Sequence, residues 1–294
     1  MTNKKFSIAK TCSGLLLLGL LSISIISGSV FATDIAIYGD SQHYEDVQRK
    51  IVADILQFKP AAVFRVGDMV DNGNDPEQWK QFRKISGPIF ASAEYFPALG
   101  NHENDSPLYF ETFPFLNHKR WYSVERQGIH FIVLDSNSTL RPGSDQYEWL
   151  VSDLKNIKNN VRFRMALFHH PLFSAGSHMG DENRLRDVLL PLFEKYGVRA
   201  VFSGHDHSYQ RFEYGGIHFI VIGGGGSMLR DKTETNPYLQ KFKMAYHFCI
   251  LTPESDLVKV RVFDIDSKMI DEFDIKALAT VSENETVALQ SAVS

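Results

Sequence analysis

Short apolar runs alternate with longer amphipathic stretches over most of this 294-residue chain. The apolar runs predict buried β-strands, and they lie at residues 35–39, 61–67, 95–100, 129–135, 163–170 and 198–204. The amphipathic stretches predict helices at residues 44–58, 76–85, 144–158 and 183–196. Such alternation is typical of βα units, so we expect these strands to form one largely parallel central sheet.

The pattern changes after residue 209. Residues 212–224, 245–252 and 257–266 read as hairpin-like strands and predict a second, mostly antiparallel sheet. Two sheets packed face to face, with helices outside, would bury all of these runs. We therefore predict an α/β fold of two packed mixed β-sheets flanked by helices.

The region from residue 33 to residue 275 shows no linker, repeat or shift in composition, which predicts one domain. Residues 276–294 lack aromatic side chains and are expected to be mobile. The formal charge is −4 and the sequence shows no basic stripe, so no nucleic-acid-binding surface is evident.

Residues 1–32 have the layout of a signal peptide. Lysines precede an apolar run that begins at Gly14, and Val30 and Ala32 occupy the −3 and −1 positions of a cleavage site. We expect export, or membrane anchoring through this segment where it stays uncleaved. Cys12 lies before the apolar run and lacks the context of a lipid anchor, and cleavage would leave Cys249 as the one cysteine.

Polar side chains able to bind metals follow five of the six predicted strands. They are Asp40, Asp68, Asn101 with His102, His169 with His170, and His205 with His207. The carboxyl ends of strands in open α/β sheets form the ligand crevice, so these side chains should converge. Glycines at 39, 67, 100 and 204 each precede one of them, which we expect to let the chain turn sharply.

Mixed oxygen and nitrogen donors favour zinc, manganese or iron. Calcium would take oxygen donors alone, and a structural zinc site would use cysteine. An aspartate between two donor sets can bridge two ions about 3.5–4 Å apart, the spacing that holds a phosphoryl group and activates a water. The sequence therefore predicts a dinuclear centre of divalent or trivalent ions.

The ordered series of motifs resembles that of the calcineurin-like metallophosphoesterases. It comprises GDSQ at 39–42, GDMVD at 67–71, GNHE at 100–103, HHP at 169–171 and GHDH at 204–207. Within that superfamily the chain is most similar to the purple acid phosphatases and their small bacterial relatives, because His178 follows His169 by nine residues. The resemblance implies a four-layer α/β/β/α sandwich that hydrolyses phosphate esters.

The resemblance also implies roles for individual residues. Asp68 would bridge the two ions, and His102 would lie beside them while His178 faces the leaving group. The further ligands would be Asp40 and His207 for the first ion, and Asn101, His169 and His205 for the second.

Two positions depart from the family pattern. Gln42 stands where the wider superfamily has histidine, and Asp71 stands where the purple enzymes have tyrosine. The remaining ligand of the first ion is therefore Gln42, Asp71 or water, and Gln42 is our preferred candidate. We expect the glycine-rich turn at 223–227 to approach the metals, His43 to lie at the crevice mouth, and Asp206 to be a solvated loop residue.

Three functions compete for this site. An exported phosphomonoesterase acting on a small phosphate ester is favoured by His178 and by the signal segment. A phosphodiesterase for cyclic nucleotides or lipid headgroups is favoured by Asp71, which cyclic phosphodiesterases of the superfamily tend to have. A binding module without catalysis is disfavoured, because the ligands and both candidate proton donors, His102 and His178, are present.

Overall fold

The structure of the protein is a computed structural model that describes Met1 and residues 34–103, 105–158, 161–178 and 184–277. Apart from Met1, the predicted signal segment at 1–32 lies outside the described residues, as does the predicted tail beyond residue 277. Among the helices in these ranges, none combines the length and the apolar character needed to cross a bilayer.

Strands and helices alternate through the first two thirds of the described chain, and strands follow in succession after that. The helices are α1 (Glu45–Gln57), α2 (Pro76–Phe90), α3 (Pro107–Thr112), α4 (Asp145–Lys155) and α5 (Leu185–Lys195), with a 3-10 turn at Pro114–Leu116. The first seven strands are β1 (Ile35–Tyr38), β2 (Ala62–Arg65), β3 (Glu94–Pro97), β4 (Tyr122–Arg126), β5 (Ile129–Val133), β6 (Phe163–Leu167) and β7 (Ala200–Ser203). The remaining strands are β8 (Tyr209–Tyr214), β9 (Ile217–Ile222), β10 (Leu239–Lys243), β11 (His247–Pro253), β12 (Leu257–Asp264) and β13 (Met269–Lys276).

The strands form two sheets, and the chain is built in four layers. The first sheet has the order β13-β12-β11-β1-β2-β3, and the second has the order β10-β8-β9-β7-β6-β5-β4. Alternate residues of β1 show the layering, because Ile35 and Ile37 pack between the sheets while Ala36 and Tyr38 pack against the helices. Helices α1 to α3 cover the outer face of the first sheet, and α4 and α5 cover that of the second.

The predicted fold class is confirmed, but the division of strands between the sheets was predicted wrongly. The early strands do not share one sheet, because β1 to β3 belong to the first and β5 to β7 to the second. Strand β4 starts the second sheet as an antiparallel hairpin with β5, and β11 returns to pair antiparallel with β1. Hydrophobic periodicity reports which faces of a strand are buried, but it does not report the pairing partner.

Helix α2 begins at a strong cap and ends five residues later than the sequence predicted. The Asp75 side chain accepts hydrogen bonds from the backbone N–H groups of Glu77 and Gln78, with a proline at the first helical position. Ile85 and Ile89, four residues apart, continue the apolar face and are buried. This helix packs beside α1, and the two lie next to the ends of β1 and β2.

Candidate metal centre

The predicted metal-binding residues meet where the carboxyl ends of the two sheets face each other. Asp40, Asp68 and Asn101 follow strands of the first sheet, and His169, His205 and His207 follow strands of the second. The crevice thus lies between two sheets, where the sequence had predicted the edge of one. Both halves of the fold are needed to assemble it.

Two sets of donor atoms share Asp68. The donor atoms of Asp68, His169 and His205 lie within 4.8 Å of one another, and those of Asp40, Asp68 and His207 do so as well. The Asn101 Oδ1 atom lies 2.9 Å from His169 Nε2 and 3.0 Å from His205 Nδ1. This arrangement brings all six predicted core ligands together and has room for two ions joined through one carboxylate.

Backbone carbonyl groups fix the orientation of two of the histidines. His169 donates from Nδ1 to the carbonyl of Val66 at 2.9 Å, and His207 donates from Nδ1 to the carbonyl of Met228 at 2.8 Å. The Nε2 atom of each ring therefore faces the aspartates, His169 at 3.2 Å from Asp68 and His207 at 3.6 Å from Asp40. Such outer hydrogen bonds are usual around metal-binding imidazoles.

The two aspartates are buried, and the described residues do not satisfy all of the hydrogen-bonding capacity of Asp40. Asp40 is fully buried, and its Oδ2 atom finds no hydrogen-bond partner among the described residues. Burial, together with the neighbouring Asp68 carboxylate, raises the pKa of Asp40 to about 8. Burial also acts to raise the pKa of Asp68, but His169 outweighs it and holds that pKa below its usual range. A buried carboxylate oxygen without a protein partner, beside a second buried carboxylate, fits a site for cations.

The glycines of the motifs make room for the carboxylates. A Cβ atom on Gly100 would lie 2.1 Å from Asp68 Oδ1, and one on Gly204 would lie 2.2 Å from Asp40 Oδ2. The sharp turns expected at the glycines are made largely by the next residues, because Asp40, Asp68 and His205 have φ values of 56°, 52° and 68°. Left-handed backbone at three such residues stores strain at the centre.

Glu103 is a central residue to which the sequence analysis gave no role. It is fully buried, and its carboxylate accepts hydrogen bonds from the backbone N–H groups of Asp68 at 3.0 Å, Met69 at 2.8 Å and Gly100 at 2.6 Å. It thereby joins the loops after β2 and β3. The sequence signal that could have indicated its role is its place beside Asn101 and His102 in the GNHE motif.

Gln42 and Asp71, the two departures from the family pattern, have different surroundings. The Gln42 Nε2 atom lies 3.4 Å from Asp68 Oδ2, and its Oε1 atom accepts a hydrogen bond from the Ser227 hydroxyl. A half-turn of the amide would direct Oε1 towards the centre. The Asp71 Oδ1 atom lies 3.3 Å from both His102 Nδ1 and His43 Nε2, and its side chain is half exposed.

Each of the two predicted proton donors lies next to a different residue of the ligand sets. His102 donates from Nδ1 to the carbonyl of Asp71 at 2.7 Å, which leaves its Nε2 atom 4.0 Å from Asp68. The ring of His178 lies 4.1 Å from that of His205, centroid to centroid. His43 lies at the crevice mouth as expected, with ring centroids 6.4 Å from His207 and 6.5 Å from His102.

The glycine-rich turn approaches the centre, whereas the expectation for Asp206 was wrong. The turn contacts the first motif, because the Ser227 N–H group donates to the Asp40 carbonyl at 3.0 Å. Asp206 is fully buried and accepts hydrogen bonds from the Ser174 hydroxyl and, at 3.1 Å, from Gln210 Nε2. The position of Asp206 between His205 and His207 gave no sequence signal that it is buried. Its burial depends on the contact between the two loops.

The fold and the shared-carboxylate site define the class of the protein, and comparison with known families agrees. Residues 33–209 match the Calcineurin-like phosphoesterase family, and the chain belongs to that family. The resemblance read from the motifs is thereby confirmed.

Several known proteins of related sequence or structure are similar to this chain. The chain is 28% identical over 197 residues to "Probable purple acid phosphatase 20" of Arabidopsis thaliana, covering 57% of this chain and 46% of the relative. It is 27% identical over 263 residues to a "Nucleotide pyrophosphatase/phosphodiesterase" of Hordeum vulgare, covering 72% of this chain and 71% of the relative. The structure of a purple acid phosphatase from yellow lupin seeds superposes with a TM-score of 0.73 at 22% identity, covering 83% of this chain and 53% of the lupin chain. The chain spans about half the length of the first curated relatives that it matches.

Proposed function

We propose that this protein hydrolyses phosphate esters at a centre of two metal ions and that phosphate monoesters are its preferred substrates. The observation that carries the proposal is the pair of donor sets that share Asp68. The names of the plant relatives support the monoester preference. The proposed ligands are Asp40, Gln42, Asp68 and His207 for the first ion, and Asp68, Asn101, His169 and His205 for the second.

The chemistry divides between the ions and the chain. Iron, manganese or zinc, when bound, would lower the pKa of a water molecule and neutralise phosphate oxygens. The Asp71 carbonyl fixes the ring of His102, so that its Nε2 atom faces the Asp68 carboxylate. His178, beside His205, is in our proposal the group that gives a proton to the leaving alkoxide.

Metal analysis combined with rate measurements tests the proposal. The purified protein should hold two metal ions and hydrolyse phenyl phosphate faster than the matching diester. Asp68→Ala should lose both ions and most activity, because each donor set loses the carboxylate that it shares. Asp274→Ala, which removes an exposed partner of Lys259 on the edge strand β13, is the control. Two ions retained in Asp68→Ala with near-normal turnover would contradict the proposed bridge.

The role of His178 is tested by the dependence of rate on the leaving group. His178→Ala should slow hydrolysis of alkyl phosphates by about 10²–10⁴-fold, because an alkoxide needs a proton to depart. Nitrophenyl phosphate should be affected little, because its leaving group departs as an anion. His118→Ala, at an exposed histidine outside the motifs, is the matched control. Equal slowing of both ester classes would remove His178 from the role of proton donor.

Phosphodiester hydrolysis is the alternative function. Asp71 beside His102, and the name of the barley relative, favour it. A higher kcat/KM for the diester than for the monoester, measured on the same metal-loaded preparation, would select this alternative. A preparation that holds two ions but hydrolyses neither ester would indicate a binding module.

We also propose that the protein is exported. The support is the sequence of residues 1–32, with its lysines, its apolar run and the small residue Ala32 before Thr33. Mass spectrometry of the protein from its native host should find Thr33 at the mature N-terminus. An intact Met1 on membrane-bound protein would indicate an uncleaved anchor.

A further inference from the structure

A polar pocket adjoins the metal centre on the side of helices α1 and α2. It has a volume of about 390 Å³, within the usual size range of small-molecule sites. Gln42 forms a wall common to the pocket and the centre, because its Nε2 atom lies 3.4 Å from Asp68 Oδ2. Met69, directly after Asp68, lines the pocket as well. A phosphate held at the centre would therefore have its ester group within reach of this pocket.

The lining of the pocket combines apolar side chains with amides. Met69, Val70 and Phe82 are buried and provide apolar surface. The other side chains that line it are Ser41, Gln42, Glu45, Gln48, Glu77, Gln78 and Gln81. Gln48 is only 3% exposed, and its Nε2 atom has no hydrogen-bond partner in the described part of the chain. An unpaired buried donor is costly, so a ligand that brings an acceptor would favour rotation of this amide towards the pocket.

The charges at the rim limit what the pocket can accept. Glu45 pairs with Arg49 at 3.2 Å and Glu77 pairs with Lys80 at 2.8 Å, so each carboxylate has its own cation. None of the described residues that line the pocket is a lysine or an arginine. A further anionic group on the substrate would therefore find no free positive charge there.

We propose that this pocket is the subsite for the alcohol part of the substrate and that it selects an uncharged alcohol with several hydrogen-bonding groups. A nucleoside and a polyol share this chemistry, and Gln48 recognises either through an acceptor atom. The predicted selectivity among phosphate esters rests on the proposed function. Binding of the free alcohol to the pocket does not depend on hydrolysis.

The experiment measures binding and selectivity in two variants and a control. Gln48→Leu removes the unpaired donor at similar volume, and Gln81→Trp fills the pocket from the partly exposed face of α2. Gln57→Leu, at an exposed glutamine on α1 outside the pocket, is the matched control. The probes are adenosine and glycerol for binding, and adenosine 5′-monophosphate, glycerol phosphate, phosphoglycerate and phenyl phosphate for hydrolysis.

Gln48→Leu should weaken binding of the preferred free alcohol by about tenfold, which is the loss of one hydrogen bond in a buried site. In the same variant, the ratio of kcat/KM for the matching ester to kcat/KM for phenyl phosphate should fall by a similar factor. Gln81→Trp should reduce both the affinity for the alcohol and this ratio further. Tighter binding of adenosine identifies a nucleoside, and tighter binding of glycerol identifies a polyol. Phosphoglycerate should be a poorer substrate than glycerol phosphate.

Two outcomes overturn the inference. In the first, Gln48→Leu and Gln81→Trp bind the free alcohol as Gln57→Leu does and show the same ratio of kcat/KM values. If phenyl phosphate is still hydrolysed in that case, the proposed function is unaffected. The other is a preference for phosphoglycerate. Loss of alcohol binding in both pocket variants, in a protein that hydrolyses none of the esters, would uphold the pocket and contradict the proposed function.

Discussion

Gln42 and Asp71 illustrate how much a single residue can determine at this centre. Gln42 lies against the shared carboxylate of Asp68, whereas Asp71 lies against the imidazoles of His43 and His102. The first position suits a metal ligand and the second suits a group that orients a neighbouring histidine. The neutral amide of Gln42 would also leave the first ion with less compensating negative charge than a carboxylate would.

Substitution separates these two roles. Gln42→Ala should reduce occupancy of the first ion, because Gln42 is its proposed direct ligand. Asp71→Ala should leave both ions bound at high metal concentration and lower the rate by about 10–100-fold through a misplaced His102. Metal content by mass spectrometry and kcat on an alkyl phosphate are the measurements. Unchanged occupancy and rate in Gln42→Ala would mean that water completes the site.

At the scale of elements, the loop after β6 is held against the loop after β7 by buried hydrogen bonds. Asp206 accepts from Ser174, and Gln210 Oε1 accepts from the Ala175 N–H group at 2.7 Å. Thr233 also contacts the loop after β6, donating from its hydroxyl to the Gly176 carbonyl at 2.7 Å. His178 follows two residues later, so these contacts fix the base of the segment that carries it.

Asp206→Ala should destabilise the protein by about 1–3 kcal/mol, because it removes the buried acceptor that Ser174 and Gln210 share. It leaves the Ser174 hydroxyl with Gln210 Oε1 at 3.4 Å and Gln210 Nε2 with Ser208 Oγ at 3.0 Å. It should also slow hydrolysis of alkyl phosphates through a displaced His178. Asp206→Asn, which keeps one acceptor, should retain more of both properties, and the exposed Asp231→Ala is the control. Denaturant unfolding and kcat measure the two effects. Equal behaviour of Asp206→Ala and Asp231→Ala would show that the loop does not need this contact.

At the scale of the whole molecule, stability depends on buried polar groups outside the centre as well. His247, at the start of β11, is fully buried and donates from Nδ1 to the Ala245 carbonyl at 2.8 Å. Its Nε2 atom has no hydrogen-bond partner in the described ranges. Burial lowers the pKa of His247 to about 4, so the folded protein holds the ring in its neutral form.

This burial predicts a loss of stability in acid. The pKa is depressed on folding, so the stabilisation is complete above about pH 6.5 and is lost as the pH falls towards 4. The loss amounts to about 3 kcal/mol at most. His247→Gln should therefore be less stable than wild type at pH 7.5 but lose less stability between pH 7 and pH 4.5, with His118→Gln as the exposed control. Parallel pH profiles of the unfolding free energy in wild type and His247→Gln would contradict this assignment.

The sequence by itself predicted most of the strands and helices and the identities of the residues that meet at the centre, but it did not predict α3, β4, β10 or β13. Strand β1, for example, was predicted at 35–39 and observed at Ile35–Tyr38, because a short apolar run that ends at a glycine is typical of a buried strand. The ligand positions were readable for a similar reason. A carboxylate or imidazole directly after a buried strand lies at the end of a sheet wherever that strand is placed.

Only the tertiary structure decided how the strands divide between two sheets and which polar residues are buried. Strand pairing is set by contacts between segments distant in sequence, so β11 beside β1 left no local signal. The residues next to Glu103 and Asp206 in the sequence are likewise typical of exposed loops. Their burial follows from loops that meet across the crevice between the sheets, where backbone N–H groups and side-chain donors need a buried acceptor.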